Sequence, residues 1–328
     1  MPGCSPSPGF VDPAASLRTV AAATTDAAGA EGASASIGHV TDLTAGAPWG
    51  ARLQLGHAAI QRVAEANGID LLHVKGFALD ESLAWPGRIG SDIDVLVRPA
   101  HLRRLVAGLR RAGWRRTIGF DQGSSFGHSL AMRHDNWGNA DVHRFFPGLT
   151  RDPAAGFEIL WRDRSTRDIA GVVCDVPSLA AQALVMIVHA GRTHDDPRAE
   201  HDLRTVWLDA PEPRRAEILA LVGEIGAEVG FAAATGDLDR YRDRREYLLW
   251  KVASHGGTRL EEWRARLVAA GPWRALRVLA LAPLVNVEHL HEVLGRAPTP
   301  REVLREFFAR PIRAVREQAQ HWRARRPR

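Results

Sequence analysis

The chain has 328 residues, 45% of them hydrophobic, a net charge of +5 and a pI near 9.9. That length supports a sizeable core, whereas Cys4 and Cys174 are too few for a disulfide framework and no apolar run is long enough to span a membrane. With no basic-then-apolar order of a signal peptide at the start, these features predict a cytoplasmic protein, and the basic balance favours polyanionic partners while leaving the fold open.

Residues 1–46 are mostly Ala, Gly, Ser, Thr and Pro, with too little apolar surface to offset ordering entropy, and predict a disordered segment. Leu53, Leu55, Ala59, Ile60 and Val63 then follow helical spacing up to a stop at Asn67-Gly68. Ile69 to Val74 reads as a buried strand ending at Lys75-Gly76, followed by a short helix from Phe77 to Trp85 and a break at Pro86-Gly87. Ser91 to Val97 is a strand, Ala100 to Ala112 a helix, and Trp114 to Phe120, Ser129 to His134 and Asn139 to Phe145 are strands. Asp135-Asn136-Trp137-Gly138 supplies a hairpin turn between the last two. This mixture predicts an α/β (α+β) unit with a small mixed sheet over residues 47–177. Beyond Pro177 helical periodicity takes over: Leu179 to Ala190, Ala199 to Leu208, Arg214 to Phe231, Arg240 to His255, Arg259 to Ala269, Leu276 to Leu294 and Arg301 to Arg325. Residues 178–328 are therefore expected to form an all-helical domain.

The stretch that carries chemistry is Arg88-Ile89-Gly90-Ser91-Asp92-Ile93-Asp94-Val95-Leu96-Val97. Residues i and i+2 of a strand share a face, so Asp92 and Asp94 converge. Side by side they repel each other, and a divalent cation carrying a nucleotide's phosphates would relieve that repulsion. A D-x-D pair alone marks no more than a strand leaving a turn, but this one has company. Lys75 and Lys251 are the only lysines among 43 basic residues, and Lys75 ends the preceding strand. Gly76 opens a turn in which backbone N–H groups can approach a phosphate. Asp141 is a third acid on a separate strand, suited to a second ion and to drawing a proton from a hydroxyl.

These blocks, in this order, resemble the nucleotidyltransferase superfamily with a polymerase-β-like fold, and within it the bacterial group called uncharacterised nucleotidyltransferases. The resemblance runs through Leu71 to Gly76, Arg88 to Val97, Asp141-Val142-His143 and Leu184 to His189, covering about Leu53 to Trp207. It implies a small mixed-sheet nucleotidyltransferase core followed by helices. It implies too that Asp92, Asp94 and Asp141 are catalytic and bind Mg2+ or Mn2+, while Lys75, Gly76, Arg88, Ser91, His143 and His189 contact the NTP. An NMP would pass to an acceptor hydroxyl. RNA, a peptide or protein, and a biosynthetic small molecule all remain open as acceptor. One departure stands out: the turn Lys75-Gly76-Phe77 lacks the serine or threonine hydroxyl many members carry, a role Ser91 can fill.

Three other readings compete. The missing turn hydroxyl fits a nucleotide-binding pseudoenzyme. His189, His194, Asp195, Asp196, His201 and Asp202 suggest an HD-like metal phosphohydrolase, although Asp196-Pro197 interrupts the helix such a site needs. The arginine-rich segment Arg301 to Arg328 suggests an adaptor helix, but its apolar stripe predicts packing on the body with arginines outward.

Overall fold

The computed structural model describes residues 46–324 apart from 89, 121–124, 151, 282–284, 286, 288–289 and 291–293. The expectations for residues 1–45, and for much of the helix over 276–294, lie outside the described residues.

Helix α1 (Trp49–Ala66) buries Leu53, Ile60, Val63 and Ala64 along one stripe. It stops where the Asn67 side chain donates to the Val63 carbonyl at 2.7 Å and Gly68 takes φ +57. Strands β1 (Leu71–Val74), β2 (Ile93–Val97), β3 (Arg115–Ile118), β4 (Ser129–His134) and β5 (Gly138–His143) form one sheet in the order β1-β2-β5-β4-β3. Only β2 and β5 run parallel; the other neighbours are antiparallel. The mixed sheet expected from sequence is thus present.

All five residues of β2 are buried, so it is covered on both faces. Ile93, Val95 and Val97 join Ala140, Val142, Leu130 and Met132 beneath α1 and helix α2 (Leu102–Arg111). The opposite face sends Leu72, Val74 and Leu96 into a second core with the helical half. Asp94 lies on this second face, a carboxylate only 3% exposed between apolar neighbours.

Several elements differ from the sequence expectation. The helix expected over Phe77–Trp85 is two 3-10 turns, Gly76–Ala78 and Glu81–Leu83, because Leu79 and Ala84 are extended. Helix α3 (Pro153–Arg162), capped by Asp152, and the hairpin β6 (Ser165–Ile169) and β7 (Val172–Val176) fill a stretch where no element is expected. The hairpin turns through Ala170 at φ +54 and Gly171 at φ +76, a weaker signal than Asn-Gly.

Helix α4 (Leu179–Ala190) is buried at every residue from 181 to 188 and forms the centre of the helical half. Asp196-Pro197 starts a helix, α5 (Pro197–Leu203), with the Asp196 carboxylate accepting from the Arg198 amide at 2.9 Å. The helix expected over Arg214–Phe231 is split by Gly226 at φ +71 into α6 (Glu212–Ile225) and α7 (Glu228–Thr235). Helices α8 (Tyr247–His255), α9 (Arg259–Leu281, kinked at Gly271) and α10 (Pro300–Ala324) follow. The packing face of α10 includes half-buried Val303 and Phe307, while Leu304, Phe308 and Ile312 are more than half exposed. The stripe read from sequence is therefore only partly covered. No helix among the described residues is long and apolar enough to cross a membrane.

Candidate active site

Strand register assembles the site. Asp94 of β2 stands opposite Asp141 of β5 in the parallel pair, so two acids far apart in sequence face the same way. Val74 pairs with Asp94 across the antiparallel edge, which leaves Lys75 at the mouth of the same face. Lys75 Nζ lies 2.9 Å from Asp94 Oδ2. The Lys75 backbone has φ +59, a region unfavourable for a residue with a Cβ, and Gly76 follows at φ +52. Gly90 belongs to the facing turn; a Cβ there would come within 3.2 Å of Gly76 Cα and force one turn to shift by a few tenths of an ångström, so glycine eases this close approach. Asp92 sits in the bend before β2, with Ser91 Oγ donating to its Oδ1 at 3.0 Å.

The other oxygen of Asp94 is bound from below. His143 Nε2 donates to Asp94 Oδ1 at 2.7 Å, and His143 is fully buried. His143, a nucleotide-contact candidate from sequence, is thus placed behind the Asp94 carboxylate, where it orients that group. Donation from Nε2 makes its buried, unpartnered Nδ1 a lone pair. Burial favours the neutral imidazole and lowers its pKa.

The three acids are electrostatically unequal. Burial alone would raise Asp94, but Lys75 and then the His143 hydrogen bond hold its carboxyl well below the usual range. Burial, then the charge of Asp94, pushes Asp92 up. Burial, then Asp94 and Asp92, pushes Asp141 up to about 7. Two carboxylates held above their ordinary values mark a place short of positive charge. Asp94, Asp141 and His143 each bring a ligand atom to within 4.8 Å of the others, the only such cluster among the described residues. With His143 Nε2 engaged by Asp94, the oxygens that fit a hard divalent ion are those of Asp94 and Asp141, with Asp92 one step along the wall. His194 and Asp195, by contrast, form an exposed pair at 3.0 Å and belong to no such cluster.

Two cavities meet at Ser91 and Asp92. One, of about 130 Å³, has Lys75, Gly76, Arg88, Asp94 and His189 in its wall. The other, of about 590 Å³, includes Asp141. Lys75, Gly76, Ser91 and His189 therefore fall together as the sequence suggests. Arg88 reaches the same cavity but is engaged, donating to both oxygens of Asp202 at 2.7 and 3.1 Å.

A model of the uncharacterised nucleotidyltransferase family matches residues 51–236. The chain belongs to this family. The match runs from α1 to the end of α7, so every candidate site residue lies inside this nucleotidyltransferase region, and the helices from α8 onward lie beyond it. A comparison with curated proteins finds no match. Among solved structures, the lincosamide antibiotic adenylyltransferase LnuA with lincomycin bound is 17% identical, covering 47% of this chain and 94% of that one, at a TM-score of 0.33. ANT(2")-Ia in complex with adenylyl-2"-tobramycin is 17% identical, covering 58% and 98%, at 0.33. An antigenic nucleotidyltransferase-like protein from Paracoccidioides brasiliensis is 14% identical, covering 56% and 92%, at 0.34. TM-scores this low say nothing about substrates.

This nucleotidyltransferase also brings to the site a residue that sequence reasoning missed. Arg192, just past α4, donates to His128 Nε2 at 2.9 Å and to His189 Nδ1 at 3.1 Å, and its buried Nε has no partner. Burial lowers its pKa to about 10, opposed by the charges of Asp94, Asp141 and Asp92, so it stays a cation at neutral pH. No carboxylate pairs with it among the described residues, whereas Lys75 and Arg88 each hold one. No motif marks Arg192 among so many arginines; only its place one turn after His189 hinted at it.

Proposed function

We propose that this nucleotidyltransferase moves a nucleoside monophosphate from an NTP to an acceptor hydroxyl. The observation that carries this reading is the parallel register that aligns Asp94 with Asp141, with Lys75 on one side and an open groove on the other. The triphosphate would lie in the cavity beside Lys75, Gly76 and Ser91, with Arg192 and His189 behind it. The acceptor oxygen bonds to the α-phosphorus as the bond to the bridging oxygen of the β-phosphate breaks, pyrophosphate leaves, and the hydroxyl proton passes to Asp141. Arg192 and Lys75 offset the negative charge that grows on the departing phosphates.

Asp92, Asp94 and Asp141 would hold Mg2+ or Mn2+, with His143 fixing the Asp94 carboxylate. Bound there, the ion would screen carboxylate–phosphate repulsion and polarise the α-phosphate. Asp94→Asn and Asp141→Asn should each lower transfer on the order of a thousandfold or more, with the far-ultraviolet spectrum unchanged. The assay follows label from each α-labelled NTP into an acceptor in cell extract. Full activity in either variant would sink the reading. Nucleotide binding by wild type without any labelled product would favour the pseudoenzyme.

A further inference from the structure

We propose that the acceptor is a small hydroxyl compound bearing an anionic group, which it sets against Arg133 in the groove over β3, β4 and β5. This inference rests on the transferase reading above and adds the class of the second substrate.

The two cavities divide the site. Lys75 and Asp94 belong to the smaller one and Asp141 to the larger, with Ser91 and Asp92 common to both. A nucleotide with its phosphates beside Lys75 leaves the proton acceptor facing the larger groove, so the attacking hydroxyl enters from there.

The sheet register orders that groove. Ile118, Ala131, Asp141 and Asp94 form one row across four strands, and Arg115, Arg133 and Asn139 form the next. Arg115 is clasped by both oxygens of Asp135, at 2.7 and 3.0 Å. The Arg133 side chain is exposed and makes no ion pair or side-chain hydrogen bond among the described residues, although its charge helps to lower the pKa of Asp135, and exposed Asn139 lies beside it in register. Among the described residues, Asp92 and Asp141 are the only acids in the groove wall.

A cationic acceptor would find only the two carboxylates the chemistry needs, and would meet Arg133 as a like charge. An anionic acceptor finds a guanidinium that presents a planar fork to carboxylate or phosphate. The rows are two residues apart along the strand, about 7 Å, which sets the scale of separation between the reacting hydroxyl and the anion. RNA is the weaker fit, because polynucleotide binding draws on many basic contacts and this groove offers one uncommitted arginine.

The test is product analysis. Full-length protein, magnesium and an α-labelled NTP are incubated with extract of the source cells. The labelled product is isolated, and phosphodiesterase releases the acceptor for charge measurement by ion exchange. A small anionic acceptor is the expected result. With that acceptor and its uncharged isostere, Arg133→Ala should lower the ratio of their kcat/KM values roughly tenfold to a hundredfold, and Arg133→Lys should restore part of it. A neutral or cationic acceptor, label in RNA or protein, or an unchanged ratio would overturn the proposal. Magnesium-dependent NTP binding, measured by calorimetry on the same protein, separates the two levels of inference. Label passing to RNA or protein in place of a small molecule overturns the acceptor class alone, whereas no NTP binding, or binding with no labelled product of any kind, overturns the transferase reading beneath it.

Discussion

At the scale of single residues, the site is governed by which charges are already spoken for. Lys75 and His143 each take one oxygen of Asp94, and Arg88 is taken by Asp202, which leaves Arg192 as a buried site cation with no carboxylate partner among the described residues. Arg192→Ala should therefore lower kcat about a hundredfold or more, as expected when a charge that stabilises the transition state is removed. Arg192→Lys should recover little, since an ammonium cannot donate to His128 and His189 in one plane. Steady-state kinetics in which the lysine variant equals wild type would reduce Arg192 to a packing role. Asp141 makes a second prediction. A carboxyl raised to about 7 in the fold keeps a proton that the unfolded chain has lost above 3.8, so its contribution to stability falls as pH rises through that window. Metal-free wild type should lose stability from about pH 4 to about pH 7 relative to Asp141→Asn, and magnesium should reduce the difference. Parallel urea titrations of the two proteins across this range would refute the assignment.

At the scale of elements, helix α5 ties the helical half to the turn that leads into β2. Asp202 accepts from Trp85 Nε1 at 2.9 Å as well as from Arg88, and both partners of the ion pair are largely buried. Removing the acid leaves a guanidinium desolvated and unpaired. Asp202→Ala is expected to destabilise the protein by roughly 3–5 kcal/mol, whereas replacing both partners by apolar residues should cost much less. Equal losses for the single and double variants, measured by denaturant unfolding, would count against this. By the same tie, Arg88 has a partner that sequence does not show. It adjoins the carboxylate motif, which suggests a phosphate contact, yet its partner lies more than a hundred positions away on a helix that periodicity alone cannot orient. His143 likewise follows Asp141 by two residues and shares its face, and its hydrogen bond to Asp94 appears only in the fold.

At the scale of the whole molecule, a set of neutral imidazoles lies between the sheet and its helices. His57 and His73 meet Nδ1 to Nδ1 at 2.8 Å, a contact that works only if one ring donates and the other accepts. Burial lowers His57 to about 4 and pulls down His73, His128, His143 and His189 as well. Histidines depressed in the fold contribute stability in full above their unfolded value of 6.5, and that contribution is lost as pH falls toward their folded values. Unfolding free energy should drop below about pH 6.5 by up to roughly 1.4 kcal/mol per pH unit for each ring that stays neutral. His57→Gln should flatten part of that slope; a wild-type protein equally stable at about pH 5 and about pH 7 would contradict it.

Local sequence determined the D-x-D pair at the start of β2, the glycine turn after β1, the apolar run of β2, and the change from mixed to helical periodicity after Pro177. Each depends on neighbours within a few residues, where backbone period and side-chain type suffice. The hairpin β6–β7 escaped because its Ala170-Gly171 turn carries little local signal, and the exposed stripe of α10 because amphipathicity names an apolar face without naming what covers it. Tertiary structure alone decided that Asp141 stands beside Asp94, that Arg192, unlike Arg88, has no carboxylate partner among the described residues, and that the carboxylates line two cavities. The physical reason is that strand order, register and ion-pair partners are fixed by contacts between residues distant in the chain, and those contacts compete on the energy of the assembled fold, which no short window of sequence contains.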